Sequence, residues 1–439
     1  MAGIQAPSLV WNPPVRIHPS RFASIRRDPF RELPLPSAIE SPAHAASHEA
    51  TQPVSAGLLI LLAVACGLIV ANIYYVQPLA GPIGHALGIS PAATGLIVTL
   101  TQIGYGLGLL FVVPLGDLHE TRRLVLAALA VACASLLAAA VARNATVFLL
   151  ASLVIGVSST AVQILVPYAA HLAPPHLRGR TVGQVMSGLL IGIMLSRPAA
   201  SFLTDLFNWA AIFYIAAGLM ALLALVLALR LPPRRPPPGP HYFALLVSMA
   251  HLYRTTPVLR RRAAYQALLF GAFTLFWTVS PLLLASPLFG LSQRGIALFA
   301  LVGVAGALAA PLAGHLGDRG HSRAATGIAM ISVFAGFLLT RLVHSGSFVA
   351  LSLLTLGAIL LDFGVSSSLV IGQRAIYTLR PEYRSRLNGL FMATFFAGGA
   401  VCSALGGWAY ARGGWNAASW IGLILPLIAL AYFATEPRA

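Results

Sequence analysis

From residue 55 onward the chain is a succession of long apolar blocks, parted by short segments rich in Arg, Pro and Gly. A bilayer core about 30 Å thick is crossed by about 20 residues in helical form. Twelve blocks reach that length and are predicted as helices, at about 55–79, 91–115, 122–142, 146–171, 181–204, 209–231, 263–286, 292–316, 323–343, 347–377, 386–411 and 415–434. None alternates apolar and polar positions with period two, so a membrane β-barrel is not expected. One long interruption, residues 232–262, opens with Pro232-Pro-Arg-Arg-Pro-Pro-Pro-Gly-Pro240. Proline has no amide to donate and clashes with the preceding turn, so this cluster ends the sixth helix. Its middle, Tyr242–Tyr253, has the pattern of a short interfacial helix.

The expected fold class is therefore an all-α membrane protein with twelve transmembrane helices in two six-helix bundles. The boundaries are a tail at 1–52, a first bundle at 53–231, a cytoplasmic linker at 232–262 and a second bundle at 263–439. The tail holds Arg16, Arg21, Arg26, Arg27 and Arg31 among many prolines and has no apolar run. It buries too little to offset its ordering entropy, and it lacks the apolar core of a secretory signal. A disordered tail is predicted. A transit peptide is disfavoured by Asp28, Glu32, Glu40 and Glu49. Deleting residues 2–50 is expected to leave membrane insertion and activity intact; loss of activity in a normally inserted deletion variant would contradict this.

Composition sharpens the picture. The 439 residues are 58% hydrophobic and only 9% charged, against about 25% charged in soluble domains. This excludes a cytosolic enzyme, a disordered protein and a disulfide-built secreted domain. The formal charge is +17, from 28 basic residues, all arginine, and 11 acidic ones. Loops after the even-numbered helices, with both tails, hold 22 arginines; the alternate loops hold four, Arg143, Arg294, Arg341 and Arg412. Positive residues stay on the cytoplasmic side, which predicts cytoplasmic termini and a multi-pass inner (plasma) membrane protein. The positive excess marks sidedness, and without interleaved aromatics in the basic tail no nucleic-acid partner is expected. Cys66, Cys133 and Cys402 lie far apart in apolar runs, so no metal site or disulfide framework follows, and no cofactor is expected.

The two halves repeat each other. Pro114-Leu-Gly-Asp117 with Arg122 and Arg123 follows the second helix; Leu316-Gly-Asp318-Arg319 with Arg323 follows the eighth. Pro175-His-Leu-Arg178-Gly-Arg180-Thr-Val-Gly183 follows the fourth; Pro381-Glu-Tyr-Arg384-Ser-Arg386-Leu-Asn-Gly389 follows the tenth. Parallel six-helix repeats describe one transporter architecture. On these residues the chain resembles the major facilitator superfamily over about residues 53–435. The loop Val113-Pro-Leu-Gly-Asp117-Leu-His-Glu-Thr-Arg122-Arg123 keeps the aspartate and basic pair of that family's G-x-L-a-D-r-x-G-r-r motif. It lacks both glycines and the arginine after the aspartate. Gly314-His-Leu-Gly-Asp318-Arg319-Gly320 keeps the glycine, the aspartate and the arginine. Ala71-Asn-Ile-Tyr-Tyr-Val-Gln-Pro78 is similar to the first helix of the drug:proton antiporter type. The glycine-rich antiporter motif of the fifth helix fits loosely, with Arg197 where its last glycine would stand.

Charges inside apolar blocks are the candidate chemistry. Asp362 lies about halfway through the tenth helix, where a carboxylate costs about 2.5–3.5 kcal/mol. A carboxyl that can take up a proton there suits a proton-coupling site; the alternative is a structural carboxylate bonded to Ser366 or a neighbouring helix. Arg197, in the fifth helix, presents a rigid fork of donors suited to an anionic or carbonyl-bearing substrate. Alternatively it snorkels or pairs with Asp205. Helical rise places Arg197 and Asp362 at depths about 12 Å apart, so a direct pair is not expected. Arg374 is a third charge, near the inner end of the tenth helix.

Gln163, Asn72, Tyr75, Gln102, Phe273 and Trp277 are further substrate-binding candidates. Gln77, Thr99, Tyr105 and Phe270, on the same helices, are read with them as lining the path. Mostly apolar walls with few polar anchors suit a modestly amphipathic organic molecule. The resemblance implies that helices one, four, seven and ten surround the path. It also implies a cytoplasmic charge network at Asp117, Arg122, Arg123, Asp318, Arg319, Arg323, Arg178 and Arg384, which otherwise only sets topology. Small-residue runs in the fifth and eleventh helices, Gly188-x-x-x-Gly192 and Gly398 to Gly407, are expected between the two halves, where sliding is needed.

The function expected is proton-coupled efflux of small organic compounds by alternating access, by a carrier that resembles working monomers. A symporter or facilitator importing a metabolite is the alternative. A membrane enzyme or sensor is disfavoured, because no metalloprotease, nucleotide-binding or clustered-carboxylate motif is present. The expected partners are a small-molecule substrate, protons and the lipid bilayer.

Overall fold

A computed structural model describes residues 55–174, 176–236, 241–303, 322–342, 345–379 and 383–436. The regular elements among them are all helical. The expected tail, Asp318, Arg319 and most of the eighth helix lie outside the described residues.

The first apolar block forms α1 (Ala56–Tyr74) and α2 (Val76–Ala86). The interruption at Tyr75 has a local cause. Pro78 lacks the amide that would bond the Tyr74 carbonyl, so the ladder lapses for one turn. The block also extends past its expected end at 79. α3 (Leu96–Phe111), α4 (Thr121–Ala140), α5 (Ala145–Ser159) and α6 (Ala161–Leu172) follow. α7 (Arg178–Leu206) and α8 (Ala211–Arg230) complete this part of the chain. The linker helix α9 (Tyr242–Thr255) lies where the short interfacial helix was expected. α10 (Pro257–Ala285), α11 (Gln293–Ala300), α12 (Ser322–Thr340), α13 (Phe348–Tyr377) and α14 (Arg384–Ala434) follow. α14 contains two segments, because Gly413 and Gly414 leave helical geometry and Gly414 adopts φ +58°. That left-handed conformation carries little penalty only without a Cβ. Ten helical stretches among the described residues are long and apolar enough to cross a membrane, α14 being one of them.

These helices are apolar on both faces. On α1, Leu62, Cys66 and Ile69 are buried, while Ile60 and Val64 are 64% and 49% exposed. A helix apolar all round needs protein on one side and lipid on the other. Helix association in lipid depends on close packing, not on hydrophobic drive, and here small residues set it. α1 and α7 run parallel: a Cβ on Gly67 would stand 2.6 Å from the Gly188 carbonyl oxygen, and one on Gly192 would overlap Gly67. α3 and α5 touch in the same manner through Gly104 and Gly156.

This corrects the expected location of one small-residue stripe. Gly188 and Gly192 of the fifth block pack on α1, within the first six blocks. The reason is steric: α1 offers Ala63 and Gly67 at matching intervals, so the two backbones meet. On α14 the glycines divide. Gly398 abuts Ala267 of α10, whereas Gly399 and Gly407 face Gln102 and Gly95, at α3 and its approach. Contacts between α3 and α14 continue along both helices. Thr99 Oγ1 donates to the Ala400 carbonyl (3.1 Å) and lies 2.8 Å from Ser403 Oγ. Beyond these, Gly106 faces Ala393 and Gly389 faces Leu109.

Candidate functional site

The parallel contact of α1 with α7 carries Arg197 to the end of α1. Five residues beyond Gly192, its Nε donates to Gln77 Oε1 at 2.7 Å. Its guanidinium lies 4.5 Å from the Trp277 ring centroid, 4.9 Å from Phe273 and 5.3 Å from Tyr74. Cation–π contacts contribute about 0.5–2 kcal/mol each, more when desolvated. Arg197 is only 3% exposed, and its Nη2 has no hydrogen-bond partner.

Trp277 links this cation to the buried carboxylate. Its indole Nε1 donates to Asp362 Oδ1 at 2.9 Å, which ties α10 to α13. Gly303, three residues past α11, closes the cluster. A Cβ there would stand 3.0 Å from Asp362 Oδ2, 3.4 Å from Trp277 Cζ2 and 3.5 Å from Arg197 Nη1. The expected depth difference of about 12 Å is therefore corrected: the two charged groups converge on one glycine. No ion pair within 4.0 Å forms between them. Depth counted from a helix end fails because α7 and α13 span 29 and 30 residues. At 1.5 Å per residue each is longer than the bilayer core, so an end does not mark the membrane surface.

Two further expectations fall here. Asp205 Oδ1 accepts from the backbone amide of Arg294 at 3.2 Å, and Arg197 takes Gln77 in its place. Arg197 is not a snorkelling residue, since its head is enclosed by rings. Asp362 takes its partner from a neighbouring helix.

An aromatic chain extends from this cluster. Phe273 stacks on Phe270 (5.4 Å), Phe270 meets Phe396 (5.1 Å), and Phe396 meets Tyr105 (4.4 Å). Tyr105 accepts a hydrogen bond from Gln163 Nε2 at 3.0 Å. Gln163, Phe273 and Trp277 are thereby joined to Arg197 and Asp362 through rings. Gln102 is buried against Gly399 with an unpartnered Oε1. Asn72 points elsewhere, its Nδ2 donating to Met220 Sδ on α8 at 3.4 Å. Tyr74, not Tyr75, is the tyrosine over Arg197, although both are buried. The missed members are Tyr74, Phe396 and Gly303. A lone tyrosine, phenylalanine or glycine in an apolar block carries no signal of its own.

Among the described residues, the candidates expected at the cytoplasmic face are dispersed. Asp117 is exposed, and its titratable or charged neighbours are Arg386, His171 and Arg234. Arg122 Nη2 donates to the Ala228 carbonyl. Arg123 pairs with Glu120 at 3.2 Å but is 79% exposed, which makes the pair worth about 0–1 kcal/mol. Arg178 Nε and Arg384 Nε donate to the carbonyls of Ala173 (3.4 Å) and Tyr377 (3.0 Å). Arg323 Nη1 donates to the Glu436 carbonyl at 2.9 Å. Arg178 and Arg384 close helix ends locally, whereas Arg122 ties α4 to α8 and Arg323 ties α12 to Glu436 beyond α14.

Arg386 bridges α14 to the linker helix: its Nη1 donates to Ser248 Oγ on α9 at 2.8 Å. Tyr242, also on α9, donates to the Phe111 carbonyl at the end of α3 (2.8 Å). Thus α9 straps the ends of α3 and α14 together. Only about 10 Å³ of cavity remains where Asp117, Met249, Arg386 and Gly389 meet. Arg386→Gln is expected to loosen this closure. A Gly389→Cys reporter, whose Cβ fits in ordinary contact at 3.7 Å from the Leu109 carbonyl oxygen, should react faster with a maleimide in that background. Equal rates would remove Arg386 from the strap.

The Major Facilitator Superfamily pattern matches residues 60–375 and 296–439. The chain is 37% identical over 377 residues to a putative uncharacterized transporter, YgaY, of Escherichia coli, covering 86% of this chain and 95% of that one. It is 34% identical over 395 residues to a probable transporter of Streptomyces coelicolor, covering 88% and 90%. Among solved structures, the nucleoside transporter NupG superposes with TM-score 0.65 at 16% identity, covering 86% of this chain and 97% of that one. The xylose transporter XylE of E. coli, partially occluded and inward open, superposes with TM-score 0.64 at 13% identity, covering 86% and 97%. With its all-helical architecture and these matches along most of its length, the chain belongs to the Major Facilitator Superfamily.

Proposed function

We propose that this superfamily member is a proton-coupled secondary transporter that exports small organic compounds by alternating access. One observation carries the reading: a carboxyl and a guanidinium, both buried, converge at the junction of α7, α10 and α13, joined by Trp277. Charge buried at membrane depth is costly, and its usual occupation is in ion or proton pathways. Asp362 is the proton-carrying group, and Arg197 with Gln77, Phe273 and Trp277 receives the substrate. Gln163 and Gln102 line the extension toward α3, while Asn72 and Tyr75 support α1. Asp117, Arg122, Arg123, Arg178, Arg323 and Arg384, with Asp318 and Arg319, belong to the cytoplasmic gate.

The same reading takes twelve spans with both termini cytoplasmic, a repeat of six and six helices about the 232–262 linker, a working monomer and an inner-membrane location. The arginine asymmetry and the paired motifs support it. The α3–α14 contacts would part on one side at a time as the halves rock.

Export rests on the likeness of Ala71–Pro78 to antiporter helices. Symport is the second reading, favoured by the cation beside the proton-carrying carboxyl. The deciding experiment is accumulation of a compound panel in cells with and without the protein, and with and without an uncoupler. Export coupled to protons predicts accumulation that rises when either the protein or the gradient is removed. Accumulation indifferent to both, across the panel, would overturn the reading.

A further inference from the structure

Arg197 has one donor of its fork engaged and another buried without a partner. Its Nε is held by Gln77, its faces are covered by Trp277, Phe273 and Tyr74, and Nη2 has no partner. Gln77 Nε2 is likewise buried and unpartnered, on the amide whose oxygen holds Arg197. Two buried donors, one of them charged, therefore lie on adjoining groups. Ring faces attract a cation but do not satisfy its in-plane N–H groups. A planar acceptor with two oxygens matches this need, one oxygen for each donor, and the bond to the guanidinium is charge-assisted.

Charge selects further. The titratable or charged groups facing Arg197 are Asp362 and the Tyr74 hydroxyl. Asp362 is engaged by Trp277 and does not reach ion-pair distance. One guanidinium and one carboxylate make the cluster's own side chains neutral overall. A carboxylate arriving at Arg197 would leave it at minus one in a medium that penalises net charge. Taking one proton onto Asp362 restores neutrality: the carboxylate becomes a carboxylic acid, the guanidinium keeps its charge, and the ligand anion balances it.

We propose that the substrate is a small organic monoanion whose carboxylate binds Arg197 Nη2 and Gln77 Nε2, and that Asp362 is protonated as it binds, so that anion and proton load together. This rests on the cluster being the transport site and takes the symport side of the coupling. Direction then follows the concentrations, so a carrier of this kind releases an accumulated acid as readily as it takes one up. The aromatic walls favour an apolar body behind the carboxylate.

The test is equilibrium binding to the full-length protein in lipid nanodiscs, with no gradient present. The probes are radiolabelled acetate, lactate and benzoate, with benzamide as the uncharged competitor. At least one anion should bind, more tightly at acid than at alkaline pH while still ionised, and benzamide should compete poorly. Arg197→Gln should weaken binding about tenfold or more, the equivalent of ~1.4 kcal/mol. If that variant does not fold, Gln77→Glu serves: a carboxylate there occupies the guanidinium and should abolish anion binding.

Asp362→Asn mimics the protonated acid and should bind the anion as tightly as wild type does at acid pH, without the pH dependence. No binding by any of the three anions overturns the proposal. So does benzamide matching benzoate, unchanged binding in Arg197→Gln or Gln77→Glu, or a pH dependence that survives in Asp362→Asn. Gradient-driven transport is measured separately, so failure of anion selectivity and failure of proton coupling are told apart.

Discussion

Asp362→Asn is expected to reduce proton-driven transport to the level of vesicles lacking the protein, with the variant still folded in the membrane. The substitution is nearly isosteric, and the amide oxygen can still accept from Trp277 Nε1, which now donates to Asp362 Oδ1 at 2.9 Å. What is lost is the ability to gain and release a proton. Removing one member of a buried charge pair commonly costs about 3–5 kcal/mol of stability. Here the loss should be smaller, because the two groups do not touch and the three rings around Arg197 remain. Reconstituted transport driven by an imposed pH gradient, beside a melting measurement, separates the two effects. Wild-type gradient-driven transport in the variant would sink Asp362 as the coupling group. Exchange of substrate down its own gradient, without a pH gradient, should persist.

Gly192→Ala is expected to be the most damaging single methyl in α7. Its Cβ would overlap the backbone of Gly67, where no side chain can swing away, so α1 and α7 must separate. Overpacking of this sort costs about 1–3 kcal/mol, occasionally more. The effect reaches function because Arg197 lies five residues further along the same helix and is positioned against Gln77 and Tyr74 of the α1–α2 segment. Lower thermal stability and weaker substrate binding should appear together. Gly183→Ala, on the same helix with nothing within 4 Å of its Cβ, is the control. It should be neutral or slightly stabilising, since alanine is favoured over glycine in helices by about 1 kcal/mol. Equal melting temperatures for the two variants would mean that the α1–α7 contact does not limit stability.

Much of this was legible along the chain. Among the described residues block length located most of the long helices to within a few residues, as for 415–434, though the first block runs past its expected end at 79 to Ala86, and the linker helix was visible in Tyr242–Tyr253. Asp362 and Arg197 stood out because charges are rare in apolar blocks. Trp277 and Phe273 were found from their shared face on one helix. The partners were not legible. Ser366 and Asp205 were the local candidates, being within two turns of their residues, yet Trp277 and Gln77 are 85 and 120 residues away. Local spacing is informative about one helix and silent about which neighbour it meets. Arg386 shows the same limit: it was part of the repeated motif, but nothing in the motif pointed to Ser248 of α9, 138 residues away.

By itself, then, the sequence determined that this is a many-helix membrane protein, with the superfamily's motifs in both halves and two charges set in apolar helices. These follow from composition and periodicity, which the bilayer constrains directly because an unsatisfied backbone is so costly there. Only the tertiary structure decided that the two charges converge on one cluster. The glycine contact of α1 with α7 sets the height of Arg197, and Trp277 of α10 bridges to Asp362 of α13. Those heights depend on how far each helix slides against its neighbours, a quantity fixed by close packing between backbones distant in sequence.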